Sequence, residues 1–217
     1  MKILLCDLDG TVRKPISNNI FINSPTDQEI IPKARVAIQG AVASGFLVIG
    51  VTNQGGINAG YKNLKNCLLE QRITMQLLPL MSCIYAAIDD DECWCISQGP
   101  NWSFRFPTWL NLPWRYSIYK GMGENPKYNW LDGFRKPNPG MLQLAIAKEV
   151  LRKSDGLLGG IATAIEYVIQ RRGDWEVYMT GDRIEDEQAA IAARTVGVEF
   201  IKLEDFYSGK FLKEAIA

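Results

Sequence analysis

An α/β fold, with a parallel sheet covered by helices on both faces, is predicted by three observations. Short apolar, β-branched runs recur along the chain, and amphipathic stretches of helical length separate them. The chain also has enough apolar residues, 47% of 217, to fill one sizeable core. The strand candidates are Ile3 to Cys6, Phe46 to Val51, Met81 to Ile88, Glu176 to Thr180 and Val198 to Leu203. Helices are expected over Pro32 to Ser44, Tyr61 to Ile73, Met141 to Arg152, Ile161 to Arg171 and Ile184 to Val196. In the third of these, Leu142, Ala145, Ile146 and Val150 follow helical spacing. Pro32 suits a helix start, and Gly45 and Gly197 stand where helix ends favour a left-handed residue.

One stretch breaks the alternation. From Trp94 to Phe134 the chain carries half of its aromatics, interspersed with Pro100, Pro107, Pro113 and Pro126. It reads as an insertion after the third strand, which divides the chain into a core of residues 1–95 and 135–217 and an inserted, cap-like subdomain of 96–134.

The totals exclude several kinds of chemistry. Lys+Arg and Asp+Glu are both 24, so there is no bulk attraction for polyanions, and any nucleic-acid contact needs a local patch. There is no histidine, which removes Ser-His and Cys-His nucleophile pairs and every imidazole base or ligand. Cys6, Cys67, Cys83, Cys93 and Cys95 are odd in number and no secretory leader is evident, so reduced thiols and a soluble cytoplasmic protein are expected. No apolar run approaches the roughly 18 residues of a membrane span.

Catalysis must therefore use carboxylates, amines and hydroxyls, and four motifs carry them, three after strands and one before a helix. Asp7-Leu8-Asp9-Gly10-Thr11 follows the first strand. If extended geometry holds that far, the two carboxylates share a face at the edge where open α/β sheets bind ligands. One carboxylate can attack phosphorus, and the other can protonate a leaving oxygen and later deprotonate water. Thr52-Asn53-Gln54-Gly55-Gly56 follows the second long strand and offers a hydroxyl, an amide and free N–H groups to a phosphate. Arg135-Lys136-Pro137-Asn138-Pro139-Gly140-Met141 sets two cations before a helix. Gly181-Asp182 through Asp186 follows the fourth strand and suits an oxygen-only Mg²⁺ site. Singly, each motif is also readable as an ordinary turn, a solvated cation pair or an acidic first helical turn.

In this order the motifs resemble those of the haloacid dehalogenase superfamily, a Rossmann-like three-layer fold. Within it the chain looks like the subgroup of histidinol-phosphate phosphatases, heptose-bisphosphate phosphatases and polynucleotide 3′-phosphatases. The resemblance covers roughly Lys2 to Asp91 and Arg135 to Leu203. It implies that Asp7 is the nucleophile and that Asp9 is the acid/base, its main-chain carbonyl contacting Mg²⁺. It also implies that Thr52 and Asn53 hold phosphoryl oxygens, that Lys136 neutralises the phosphoaspartate and that Arg135 reaches toward substrate. Asp182 would complete the metal shell with Asp7, and Asp186 would support it.

The chain departs from the pattern in two places. Several relatives carry a zinc loop of Cys-x-His followed by Cys-x-Cys. Here Cys83-Ile84-Tyr85 and Cys93-Trp94-Cys95 replace it, leaving three thiols unless Asp89, Asp90, Asp91 or Cys67 contributes, so loss of zinc is expected. The insertion adds a local cation surplus through Arg105, Arg115, Lys120 and Lys127 against Glu124 and Asp132. Its aromatics can stack bases at a nucleic-acid end or simply fill a small core. Arg13 and Lys14 are expected on a solvated face.

The sequence thus points to a Mg²⁺-dependent phosphomonoesterase acting through an aspartyl-phosphate on a small phosphorylated metabolite. A nucleic-acid 3′-phosphatase is the near alternative. The rival of another class is a non-catalytic phospho-ligand binding module on the same scaffold.

Overall fold

The computed structural model describes residues 1–17, 19–98, 103–107, 133–154 and 161–214. Its main sheet has seven strands, β1 (Lys2–Cys6), β4 (Phe46–Asn53), β5 (Met81–Ala87), β6 (Glu92–Ser97), β7 (Ser103–Pro107), β8 (Glu176–Thr180) and β9 (Val198–Ile201), in the order β7-β6-β5-β4-β1-β8-β9. Five of them, β5-β4-β1-β8-β9, run parallel, and β6 and β7 add antiparallel to the β5 edge. Two short strands, β2 (Arg13–Lys14) and β3 (Glu29–Ile30), form a separate antiparallel ribbon after β1.

Alternation along β1 divides the core. Ile3 and Leu5 point to one face, where they meet α3 (Gly140–Lys153), α4 (Ile161–Gln170) and α5 (Ile184–Ala192). Leu4 and Cys6 point to the other, against α1 (Pro32–Ala43), α2 (Leu64–Leu77), α6 (Leu203–Ser208) and α7 (Lys210–Glu214). This is the predicted three-layer α/β architecture, because a parallel sheet must bury both faces. Gly45 and Gly197 are left-handed, with φ of 85° and 82°. A 3₁₀ turn, Ala193–Val196, continues α5 to Gly197.

Some boundaries move for identifiable reasons. α2 starts at Leu64 because the Asn63 side chain accepts from Asn66 N at 2.8 Å and caps it. β6 and β7 reach past residue 95 into the stretch read as an insertion and belong to the main sheet. The rest of that stretch, residues 99–102 and 108–132, lies outside the described residues.

The topology fixes the site. From β1 the chain runs outward through β4 and β5, then returns to the other side of β1 as β8 and β9. Neighbouring β4, β1 and β8 therefore end side by side at the switch point, which leaves a crevice at their carboxyl ends.

Candidate active site

β1 ends at Cys6, and Asp7 N donates to Thr180 O at 2.9 Å, which locks the first acidic motif to the end of β8. The backbone then turns on Leu8 O, which accepts from Val12 N and Arg13 N, each at 2.9 Å. Gly10 in this turn has φ +95°, and a side chain there would also collide with the Asp182 carboxylate. The chain turns between the two carboxylates, and Asp7 and Asp9 have separate partners.

Asp7 faces Lys136. The Lys136 ammonium lies 2.5 Å from Asp7 Oδ1, 2.5 Å from Asp186 Oδ1 and 3.1 Å from Val51 O. All three side chains are buried. Asp186 is three residues after Arg183, whose N–H donates to Asp186 Oδ2 at 3.1 Å at the start of α5. Gly181 leaves room for this, because a Cβ there would overlap the Asp186 carboxylate. Asp182 is exposed at the end of β8 and accepts from Thr11 Oγ1 at 3.2 Å.

Asp7, Asp182 and Asp186 each offer an oxygen within 4.8 Å of the others, and among the described residues this is the group able to hold a metal ion. Burial pushes the Asp7 carboxyl up to about 7, Lys136 opposes this, and the Asp186 and Asp9 charges add to it. The pocket is short of positive charge, and its all-oxygen donors suit a hard divalent cation such as Mg²⁺.

Asp9 is half-buried and ringed by donors. Arg13 Nε reaches its Oδ1 at 2.9 Å, while Arg13 NH2, Thr52 Oγ1 and Gln54 Nε2 reach Oδ2 at 3.3, 3.1 and 3.2 Å. Burial pushes the carboxyl up, but the Arg13 guanidinium outweighs it and holds the group below the usual carboxylate range. The expectation that Arg13 lies on a solvated face is overturned. Arg13 is fully buried, because Glu70, Gln28 and Thr74 take its remaining N–H groups at 2.7, 3.3 and 2.5 Å. Lys14 is exposed and pairs with Glu29.

The other candidates divide. The Thr52 hydroxyl serves Asp9. Asn53 clamps the main chain of Lys136, with Lys136 N donating to Oδ1 and Nδ2 donating to Lys136 O, both at 2.9 Å. Arg135 is exposed, its guanidinium directly over the Cα of Gly55. Cys83, Cys93 and Cys95 share one face of β5 and β6 with Tyr85, inside the apolar core. Gln54 was read only as part of the glycine-rich turn, Arg13 was expected on a solvated face rather than at a substrate phosphate, and Glu70 was not foreseen. The available signal was the polar run Cys67, Glu70, Gln71 and Thr74 on the helical face that should be apolar.

A stretch of 61 residues is 41% identical to a probable D-glycero-D-manno-heptose-1,7-bisphosphate 7-phosphatase of Thermoplasma volcanium, spanning 28% of this chain and 40% of that protein. The chain thus matches less than half of that relative's length. Two solved structures share the fold. One is the D,D-heptose 1,7-bisphosphate phosphatase of B. bronchiseptica, complexed with magnesium and phosphate, with TM-score 0.50, 19% identity and 99% of each chain covered. The other is a putative haloacid dehalogenase-like phosphatase of Mesorhizobium loti, with TM-score 0.52, 18% identity and coverage of 98% of this chain and 87% of that one. The model of the family described as polynucleotide kinase 3 phosphatase matches residues 2–165, well over half of the 217. The chain therefore belongs to the polynucleotide kinase 3 phosphatase family, on a haloacid dehalogenase-like fold.

Proposed function

We propose that this protein is a Mg²⁺-dependent phosphomonoesterase that works through a phosphoaspartate on Asp7, with a small phosphorylated metabolite as substrate. The observation that carries the reading is Lys136, whose buried ammonium joins Asp7 to Asp186 across the ends of β1, β4 and β8. A buried cation shared by two acids beside a third acid costs stability, so its presence at the switch point argues for chemistry.

Asp7 and Asp182, with Asp186 and the Asp9 carbonyl, would hold Mg²⁺, which supplies positive charge for the phosphoryl oxygens. The protein's own groups perform the transfer. An Asp7 oxygen attacks phosphorus as the ester P–O bond breaks; Asp9, ionised beside Arg13 in the resting protein, takes up a proton from solvent as the anionic substrate binds and gives it to the departing oxygen. Asp9, again a carboxylate, takes a proton from water as that water attacks the phosphoaspartate. Inorganic phosphate leaves, Asp7 returns as a carboxylate, and Asp9 releases its proton to solvent. Lys136 stays charged throughout: burial acts to lower its pKa, but Asp7 and Asp186 more than offset this and raise it. It faces the charge that develops on the acyl phosphate. Arg135 over Gly55 is placed to meet an anionic part of the substrate.

A second reading, removal of phosphate from a nucleic-acid 3′ end, is favoured by the family match. Turnover of a sugar-phosphate panel, compared with that of a 3′-phosphorylated oligonucleotide, separates the two. The metabolite reading expects faster, weakly salt-dependent turnover of a sugar phosphate, and a steep salt dependence on the oligonucleotide alone would replace it. Asp7→Asn abolishes hydrolysis of p-nitrophenyl phosphate with the fold retained. Unchanged turnover would defeat the phosphoaspartate mechanism, whereas no turnover by the wild-type protein would leave a phospho-ligand binding module.

A further inference from the structure

The mechanism above uses Asp9 but not the charges built around it. Arg13 NH2 donates to Glu70 Oε1 at 2.7 Å, and Glu70 Oε2 pairs with Lys62. Lys62 Nζ reaches Gln54 Oε1 at 3.4 Å, and Gln54 Nε2 returns to Asp9 Oδ2 at 3.2 Å. The circuit closes through Arg13, whose Nε and NH2 straddle the Asp9 carboxyl. Its members come from the turn after β1, the loop after β4 and the middle of α2. Two cations and two anions cancel, and Arg13 and Glu70 are buried to 0% and 1% exposure.

Stability alone does not account for such a ring. Taking Arg13 and Glu70 out of water costs several kcal/mol per ion, and apolar side chains of similar volume commonly do better. What the ring provides is a fixed aim. Asp9 Oδ2 takes three of the donors and Oδ1 only Nε of Arg13, although each carboxylate oxygen has two lone pairs. Oδ1 therefore keeps a free direction.

We infer that Arg13 is a positioning residue: backed by Glu70, it fixes the Asp9 carboxyl so that Oδ1 is the atom that exchanges protons with the leaving group and with water. This rests on the proposed acid/base role of Asp9. It makes the ring matter in proportion to how badly the leaving oxygen needs a proton. Aryl phosphates with acidic phenols depart unaided, whereas alkyl phosphates do not.

The test measures kcat and KM over a series from p-nitrophenyl phosphate through phenyl phosphate to an alkyl phosphate, in wild type, Asp9→Asn and the charge-balanced double variant Arg13→Gln/Glu70→Gln. Circular dichroism and thermal unfolding monitor the fold. The double variant removes the guanidinium fork at constant net charge, and the two charges that lose their partners, Asp9 and Lys62, are the solvent-reaching members of the ring. Its kcat/KM, which reports the step that expels the leaving group and not the shared hydrolysis of the phosphoaspartate, is expected to fall about 100-fold on the alkyl ester and less than about 10-fold on p-nitrophenyl phosphate, since general acid–base catalysis contributes roughly 10²–10⁴-fold. A uniform loss across the series, or full activity, would show that the ring only holds the fold. Arg13→Lys keeps the charge but not the fork and is expected to give the same selective loss in smaller measure. It decides the matter if the double variant does not fold. Should Asp9→Asn itself show no leaving-group dependence, the acid/base reading fails. If only the Arg13 variants lack it, the positioning role alone fails.

Discussion

Lys136 Nζ lies 2.5 Å from Asp7 Oδ1, across 129 residues of chain. The loop before α3 and the end of β1 are joined by an ion pair from which water is nearly excluded, and the same ammonium reaches Asp186. Removing the cation leaves two buried acids facing each other. Lys136→Met is expected to lower stability by about 3–5 kcal/mol, the range for breaking a buried pair from one side. It is also expected to reduce kcat by at least about 100-fold, as loss of one stabilising group at a developing oxyanion does. Denaturant unfolding and turnover of p-nitrophenyl phosphate measure the two effects separately.

Asp182 is exposed, and Thr11 Oγ1 at 3.2 Å is the side chain that orients it. Thr11 is itself fully buried, so Thr11→Val keeps shape while deleting the donor. Groups that orient a metal ligand typically govern affinity by about 10–100-fold. The Mg²⁺ concentration giving half-maximal activity is expected to rise about tenfold with little change in thermal stability. A titration of activity against Mg²⁺ checks it, and an unchanged midpoint would show that the Thr11 bond does not orient Asp182 for the metal.

How far the sequence carried these conclusions depends on the range of the interaction. The parallel strands were legible because an apolar run followed by Asp-x-Asp-Gly, Thr-Asn or Gly-Asp is a local signal, and β8 was read to the residue. Convergence of the motifs was legible only through the resemblance, since spacing alone does not give strand order. β6 was obscured for a chemical reason: Cys93 and Cys95 alternate inward as any strand would, but Cys-x-Cys also looks like a metal site. Arg13 was unreadable next to Lys14, because its partners Glu70 and Thr74 lie 57 and 61 residues away. Asn53 was read as a phosphate donor from its place in a glycine-rich turn after a strand and from the resemblance; its clamping contact to the Lys136 main chain, 83 residues away, left no local signal.

That clamp yields a discriminating prediction. Asn53 makes both a donor and an acceptor contact to the main chain of Lys136, so Asn53→Ala frees the loop that carries the ammonium. Misplacing a catalytic group by about 1 Å can cost about 100-fold in rate. The expected result is a fall of at least about tenfold in kcat with KM nearly constant. If KM rises while kcat holds, Asn53 touches the substrate instead.

All five thiols are buried, in both core layers. Burial pushes the Cys67 thiol up to about 12, and it raises Cys6 and Cys93 as well. Cys95 is the exception. A hydrogen bond from Cys83 lowers its pKa; burial opposes this, and a further bond from Tyr85 also lowers it. Since the thiolate is the reactive form, a neutral aromatic disulfide reagent should find the native protein almost inert. Cys95, whose lowered pKa belongs to the folded state, should be the first to react in the native protein, slowly because it is buried, and all five thiols should react in denaturant. Mass mapping of the modified peptides at pH 8 checks the order. Rapid native labelling of Cys6 would show that the end of β1 opens far more readily than its packing implies.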